Sequence, residues 1–309
     1  MERIIASAML IFTLFGAGGQ NLYIRTFGES RDHPVIFLHG GPGYNSANFE
    51  ATTAQKLADH GFFVVVYDRR GEGRSHDEEA QFTFSESFDD LLAIYQEHNL
   101  SRATLIGHSF GGVLATLFAA AYPEKIRSVV LVSVPVSLQE TFRTIISSSK
   151  AIYEAKKDSL NLNYIRILES MDSSSIQYSS YCFMHAMQNG FYTPENLSEE
   201  ASKIYARFST DSLLLNYANQ MTYQPTQGFW ENERYTTLDI EKPLTQLSAK
   251  GVAVYALYGK DDGLFANNQV ERLRRILGDD QLQYLENCAH NVFIDQQSLF
   301  LNTLKSWLK

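Results

Sequence analysis

The chain is short of positive charge. Lysine and arginine number 26 against 35 aspartates and glutamates, a formal net charge of −9 over 309 residues. No basic stripe is available to meet phosphates, so nucleic acid is not expected as a partner. Cysteine is scarce as well. Cys182 and Cys288 are too few for a disulfide framework, and their spacing matches no metal motif. There is no H-E-x-x-H, no P-loop and no dinucleotide fingerprint, so the sequence calls for no metal and no other cofactor. Apolar runs of membrane-spanning length are missing beyond the N-terminus, so stable membrane insertion of the mature chain is not expected. Internal repeats and low-complexity segments are absent too. What remains is ordinary globular composition, 44% hydrophobic and 20% charged, in a length suited to one large domain with an insertion or to two domains.

Residues 1–19 admit two readings. Ile4 to Phe15 is an apolar run followed by Ala17-Gly18-Gly19, small residues suited to signal-peptidase cleavage before Gln20. The same run reads as a first strand, Met9 to Phe15, turning through the glycines into a second strand at Leu22 to Thr26. The length of the unbroken run favours the signal peptide, which would send the protein to the periplasm or outside the cell; the strand reading leaves it cytoplasmic.

Further along, continuous hydrophobic stretches alternate with helical patterns. Val35 to Leu38, Phe62 to Tyr67, Val129 to Val134 and Val252 to Tyr258 read as strands buried on both faces of a parallel sheet. Between them, Thr83 and Glu86 make a capping box ahead of Phe88, Leu91, Leu92 and Tyr95 at helical spacing. Phe110 to Tyr122 is an alanine-rich helix stopped by Pro123, and Phe300, Leu304, Trp307 and Leu308 mark a last helix. The alternation predicts a doubly wound, mostly parallel α/β fold. It breaks once. From Ser137 to Glu241 no buried-strand run occurs and the stretch is tyrosine-rich and helical, which predicts a helical lid (137–241) inserted into a core of residues 20–136 and 242–309.

The chemistry concentrates at Gly107-His108-Ser109-Phe110-Gly111, a G-x-S-x-G between the strand-like Ala103 to Ile106 and the helix that follows. A serine on so tight a strand-to-helix turn takes a strained backbone that lifts its hydroxyl clear of the sheet. Serine needs a base, itself oriented by an acid. Asp261 and Asp262 directly follow the strand Val252 to Leu257 in a glycine-bounded turn; Asp262 is the preferred acid and Asp261 the alternative. His290 lies between the strand candidate Leu282 to Leu285 and the final helix, and is the candidate base. The order Ser109, Asp262, His290 is serine, acid, histidine. A developing oxyanion needs two donors. One is the Phe110 N–H, next to the nucleophile. The other comes from His39-Gly40-Gly41-Pro42-Gly43, where Pro42 has no N–H, which makes Gly41 the choice and Gly43 the reserve.

Together these residues resemble the α/β-hydrolase superfamily over essentially the whole chain. His39-Gly40-Gly41-Pro42-Gly43 is similar to the loop of the proline iminopeptidase-type branch, whose members release N-terminal residues, typically proline, from peptides. Asp68-Arg69-Arg70-Gly71-Glu72-Gly73-Arg74-Ser75 resembles a D-x-R-G-x-G-x-S loop found across the superfamily. The resemblance implies Ser109 as nucleophile, Asp262 as acid, His290 as base, and Gly41 and Phe110 as oxyanion donors. The elbow departs from the branch: those peptidases usually carry G-G-S-W-G, whereas G-H-S-F-G resembles esterases and carbon–carbon bond hydrolases. The branch also holds the substrate amine with acidic lid residues, and here Glu231 and Glu233, beside Trp230, are the candidates. The implied function is a serine hydrolase acting on a small molecule or short peptide, first as a proline iminopeptidase-like aminopeptidase, second as a carboxylesterase. A non-catalytic hydrolase-like binding protein is the reading from another class.

Overall fold

Phe62-Phe63-Val64-Val65-Val66-Tyr67 has the β-branched and aromatic content that suits a pleated surface, and in a computed structural model, which describes residues 22–309, all six side chains are buried in strand β3 (Phe62–Tyr67). Both readings of residues 1–19 fall outside the described residues. The sheet comprises β1 (Ile24–Phe27), β2 (His33–Leu38), β3, β4 (Ala103–His108), β5 (Ile126–Val132), β6 (Ala253–Gly259) and β7 (Leu282–Leu285), in spatial order β1-β3-β2-β4-β5-β6-β7. Only β1 is antiparallel, pairing with β3; every other pairing is parallel. The expected α/β architecture is therefore present, with β4 at the centre.

Period-two alternation splits each inner strand between two cores. Ile36, Leu38, Phe63, Val65 and Tyr67 pack on one face with Leu91 and Ile94 of the helix Phe84–Glu97, and with Val113, Leu114 and Phe118 of the helix Phe110–Ala121. Val35, Phe37, Phe62, Val64 and Val66 pack on the other with Phe49, Leu57, Phe300 and Leu304. Phe37 stacks on Phe49 at 3.8 Å between ring centres. Helices on both faces leave only the strand ends open to ligands. Half of the expected capping box is formed: the Thr83 hydroxyl accepts from the Glu86 N–H at 3.1 Å, while the Glu86 carboxylate turns to the N–H groups of Gln81 and Phe82 instead of that of Thr83.

The segment between β5 and β6 carries six helices of six or more residues before the one that returns to the sheet, Glu241–Ala249: Leu138–Ala155, Ser159–Glu169, Ile176–Gln188, Glu199–Ala206, Ser212–Tyr217 and Tyr223–Glu233. Its two ends meet at a neck. Ser137 and Asp239 form an antiparallel bridge, flanked by the Leu138 N–H on the Leu238 carbonyl at 3.0 Å and the Ile240 N–H on the Val136 carbonyl at 2.8 Å. None of the helices among the described residues is long and apolar enough to cross a membrane.

Candidate active site

Ser109 directly follows β4 with φ +52° and ψ −125°, a positive-φ conformation that a residue with a side chain adopts only under local constraint. The constraint is close packing at three glycines. A Cβ on Gly107 would strike the backbone of Gly111 and Gly112, one on Gly111 the carbonyls of Leu38 and His39, and one on Gly112 the side chain of Val134. The turn can therefore press against β2, and the Ser109 N–H is held by the Val132 carbonyl of β5 at 2.9 Å.

His290 Nδ1 lies 2.9 Å from Asp262 Oδ2, both groups buried. A carboxylate accepts, so Nδ1 carries the proton, and in the neutral ring Nε2 is left with its lone pair. The other carboxylate oxygen of Asp262 accepts from the Leu264 N–H at 3.1 Å, which fixes the carboxyl plane. Asp261 makes no side-chain bond to this pair. Its N–H donates to the Cys288 carbonyl at 2.9 Å, and burial, then the charges of Glu195 and Glu286, raise its carboxyl pKa.

His108, the residue before Ser109, lies 3.0 Å through Nε2 from the carbonyl of His290, so the elbow and the histidine loop are joined directly. The His290 ring is boxed by His108 at 4.9 Å, by Tyr192 of the insertion at 5.1 Å and perpendicular, and by Phe265 at 6.2 Å.

On the other side of the elbow lies the glycine loop. A Cβ on Gly40 would touch the Ser109 Cβ at 3.3 Å. Gly41 has φ +121°, and among the described residues neither its N–H nor that of Phe110 has a protein acceptor. The Gly43 N–H is already spent on Glu72 at 2.8 Å, which removes the reserve donor. Arg69 and Glu72 form a buried ion pair behind this loop, Nε to Oε1 at 2.9 Å.

The stretch 33–297 matches the family model described as "alpha/beta hydrolase fold". The chain belongs to the α/β-hydrolase family. This hydrolase is 24% identical over 300 residues to a proline iminopeptidase of Saccharolobus solfataricus, covering 94% of this chain and 89% of that one. Among solved structures it is similar to a proline iminopeptidase-related protein from Thermus thermophilus, at TM-score 0.67 and 21% identity with 94% of each chain covered. It is also similar to an esterase from Exiguobacterium antarcticum, at TM-score 0.62 and 17% identity with 93% and 95% covered. At such identities the two structures speak to the fold alone.

The insertion residues singled out in the sequence are engaged by other partners than the Ser109, Asp262 and His290 side chains. Glu231 is exposed and accepts from Gln227 at 2.8 Å. Glu233 caps a core helix, accepting from the Phe84 N–H at 2.7 Å, and the Trp230 indole N–H donates to the Ser174 carbonyl at 2.8 Å. The residue of that helix which reaches the elbow is Phe229, edge-on to Phe110 at 5.2 Å. Sequence reasoning assigned no role to Arg69, Glu72, His108, Tyr192 or Phe265. Arg69 and Glu72 carried a signal as part of the D-x-R-G-x-G-x-S loop, and His108 as part of the elbow.

Proposed function

We propose that this hydrolase cleaves acyl substrates by a serine mechanism with an acyl-enzyme. Ser109 attacks the carbonyl, His290 takes its proton and returns it to the leaving group, and Asp262 holds the imidazole. The N–H groups of Gly41 and Phe110 receive the oxyanion, and water then releases the acid. The observation that carries this reading is the His290–Asp262 bond, tied through His108 to a serine held at positive φ. Labelling by a fluorophosphonate probe tests it: labelling is expected and should disappear in Ser109→Ala, and a probe that ignores the native protein overturns it. The segment 137–241 acts as a lid that shields the site and supplies Tyr192 and Phe229 to its wall.

For the substrate, the wall chemistry favours a small ester with an apolar acyl group. Amine recognition needs a carboxylate sheltered from water. The buried carboxylates among the described residues are Glu50, Asp68, Glu72, Asp90, Asp262 and Asp295, all in the core sequence and none in 137–241. The second reading, release of an N-terminal residue in the manner of proline iminopeptidases, is favoured by the near full-length likeness to the Saccharolobus solfataricus relative of that name. Turnover of short-chain p-nitrophenyl esters against proline p-nitroanilide decides. Esters without the anilide support the first reading, and anilide turnover of comparable kcat/KM supports the second.

A further inference from the structure

Arg69 sits where one side chain can govern a backbone donor it does not replace. Its Nη2 donates to the Gly40 carbonyl at 2.6 Å and its Nη1 to the His39 carbonyl. Glu72 backs the guanidinium from behind, accepting Nε through Oε1 and Nη2 through Oε2, each at 2.9 Å, and the same Oε2 takes the Gly43 N–H at 2.8 Å. Both side chains are almost wholly shielded from water, 3% and 0% exposed. The Arg69 N–H donates to His39 Nε2 at 3.0 Å, so His39 Nδ1 holds the ring proton and donates it to the Gly40 carbonyl at 2.8 Å. The Gly40 carbonyl therefore receives two donors, one of them a cation.

That carbonyl and the Gly41 N–H belong to one planar trans peptide and point in opposite directions. Pulling the oxygen toward Arg69 aims the Gly41 N–H away from it. A cation on the oxygen also polarises the amide and makes its N–H a stronger donor, an effect magnified where water is excluded. The other face of the guanidinium lies 5.5 Å from the ring of Phe110, the residue that carries the second free N–H.

On the serine-hydrolase reading above, we propose that Arg69, braced by Glu72, is the positioning residue of the oxyanion hole, aiming and polarising the Gly41 N–H through the Gly40 carbonyl. Arg69 touches no reacting atom. It acts only when charge develops on the substrate oxygen, so its loss falls on kcat and leaves KM nearly unchanged. The planar fork is essential, since a lysine carries the charge but cannot hold two carbonyls and a carboxylate at once.

The test compares the native protein with Arg69→Lys and Glu72→Gln, the second keeping the size of the side chain and an acceptor for the Gly43 N–H. Two quantities are read: ester turnover, and affinity for an alkyl trifluoromethyl ketone, which forms a tetrahedral oxyanion on the serine. Removing an oxyanion donor outright costs on the order of 100- to 1000-fold in kcat. Arg69→Lys should fall by roughly 100-fold and Glu72→Gln by roughly 10-fold, with KM within about 3-fold and ketone affinity dropping in parallel with kcat. Should Arg69→Lys not fold, Glu72→Gln reads the same relation. Unchanged kcat in a folded variant, or a fall in kcat that ketone affinity does not follow, overturns the proposal while leaving the serine mechanism standing. If the native protein neither binds the ketone nor takes the fluorophosphonate, the serine mechanism fails and this role fails with it.

Discussion

His108 donates through Nε2 to the carbonyl of His290, across 182 residues of sequence and 3.0 Å of space. A carbonyl only accepts, so Nε2 keeps the proton. Burial, then the neighbouring His290, hold the His108 pKa down to about 3, so the ring stays a neutral donor throughout the neutral range. This bond is the direct tie between the serine turn and the histidine loop. His108→Ala should lower kcat by about 10-fold, the worth of one buried hydrogen bond. His108→Gln, which offers an amide N–H at similar reach, should recover most of it. Steady-state ester kinetics on the two variants check this, and equal losses in both would mean the ring acts by packing.

Asp261 and Asp262 are adjacent and chemically identical, yet only Asp262 meets His290. Asp262→Asn keeps the shape but presents an amide to Nδ1 and favours the wrong tautomer, so kcat should fall by about 10,000-fold. Asp261→Asn should leave kcat within about 3-fold of the native value, since the Asp261 side chain makes no bond to the imidazole and the variant keeps the N–H that holds the Cys288 carbonyl of the histidine loop. Comparable losses in the two variants would remove Asp262 from the proposed triad.

The sheet was legible because strands buried on both faces are written as unbroken apolar runs: Phe62 to Tyr67 is read and observed with the same bounds. Asp262 and His290 were legible because turns at strand ends are punctuated by glycine and polar residues. Other features depend on helix phase and on distant chain. Trp230, Glu231 and Glu233 were candidates through the resemblance to the peptidase branch, and helix phase bears on the first two: successive residues of a helix point about 100° apart, so Trp230 and Glu231 leave the face of Phe229, whereas Glu233, one turn on, shares it. Phe229 takes the inward direction, Trp230 and Glu231 are turned to other partners, and the Glu233 carboxylate is spent on the Phe84 N–H. Arg69 stands in a legible motif, but its contacts are opaque in sequence for another reason. Its partners His39 and Gly40 lie some thirty residues away, and only β2 and β3 running side by side bring them together.

The elbow glycines differ in what crowds them, and that difference is measurable. A methyl group on Gly107 meets backbone, which cannot yield, whereas one on Gly112 meets the end of the Val134 side chain. Gly107→Ala should therefore cost more than about 3 kcal/mol or prevent folding, and Gly112→Ala about 1 to 3 kcal/mol. Adding Val134→Ala should recover part of the Gly112→Ala loss and none of the Gly107→Ala loss. Urea unfolding of the four variants reads this, and rescue of Gly107→Ala would contradict the packing at the turn.

Stability should fall on acidification, for a reason that sits largely beside the site. His33, His39 and His108 all have depressed pKa values: His33 to about 4 and His108 to about 3, with His39 well below its ordinary value, and burial is the first cause in each. A histidine kept neutral in the fold is protonated in the unfolded chain below about pH 6.5, so the stability these groups contribute is present above that value and is lost as pH falls toward their folded values. Asp295 works in the opposite sense. Burial first, and the charge of Asp262, push its carboxyl up to about 6, against lowering by the Tyr205 hydroxyl, the Ala289 N–H and His290. Its folded pKa lies above the unfolded one, so its contribution is present below about pH 4 and is lost as pH rises through 6. Glu72, Asp90 and Asp261 are raised as well and act with Asp295, whereas His185 is depressed and Asp68, Glu140 and Asp211 are held low, all acting with the three histidines. The acid-sensitive groups outnumber the opposing ones, and the melting temperature should drop from pH 7 to pH 4. Asp295→Asn removes one opposing group, so its melting temperature should drop more steeply between pH 6 and 4 than that of the native protein. His108→Gln removes one of the acid-sensitive groups, so its profile should be shallower. A native melting temperature that rises on acidification would mean that the buried histidines take up protons in the folded state.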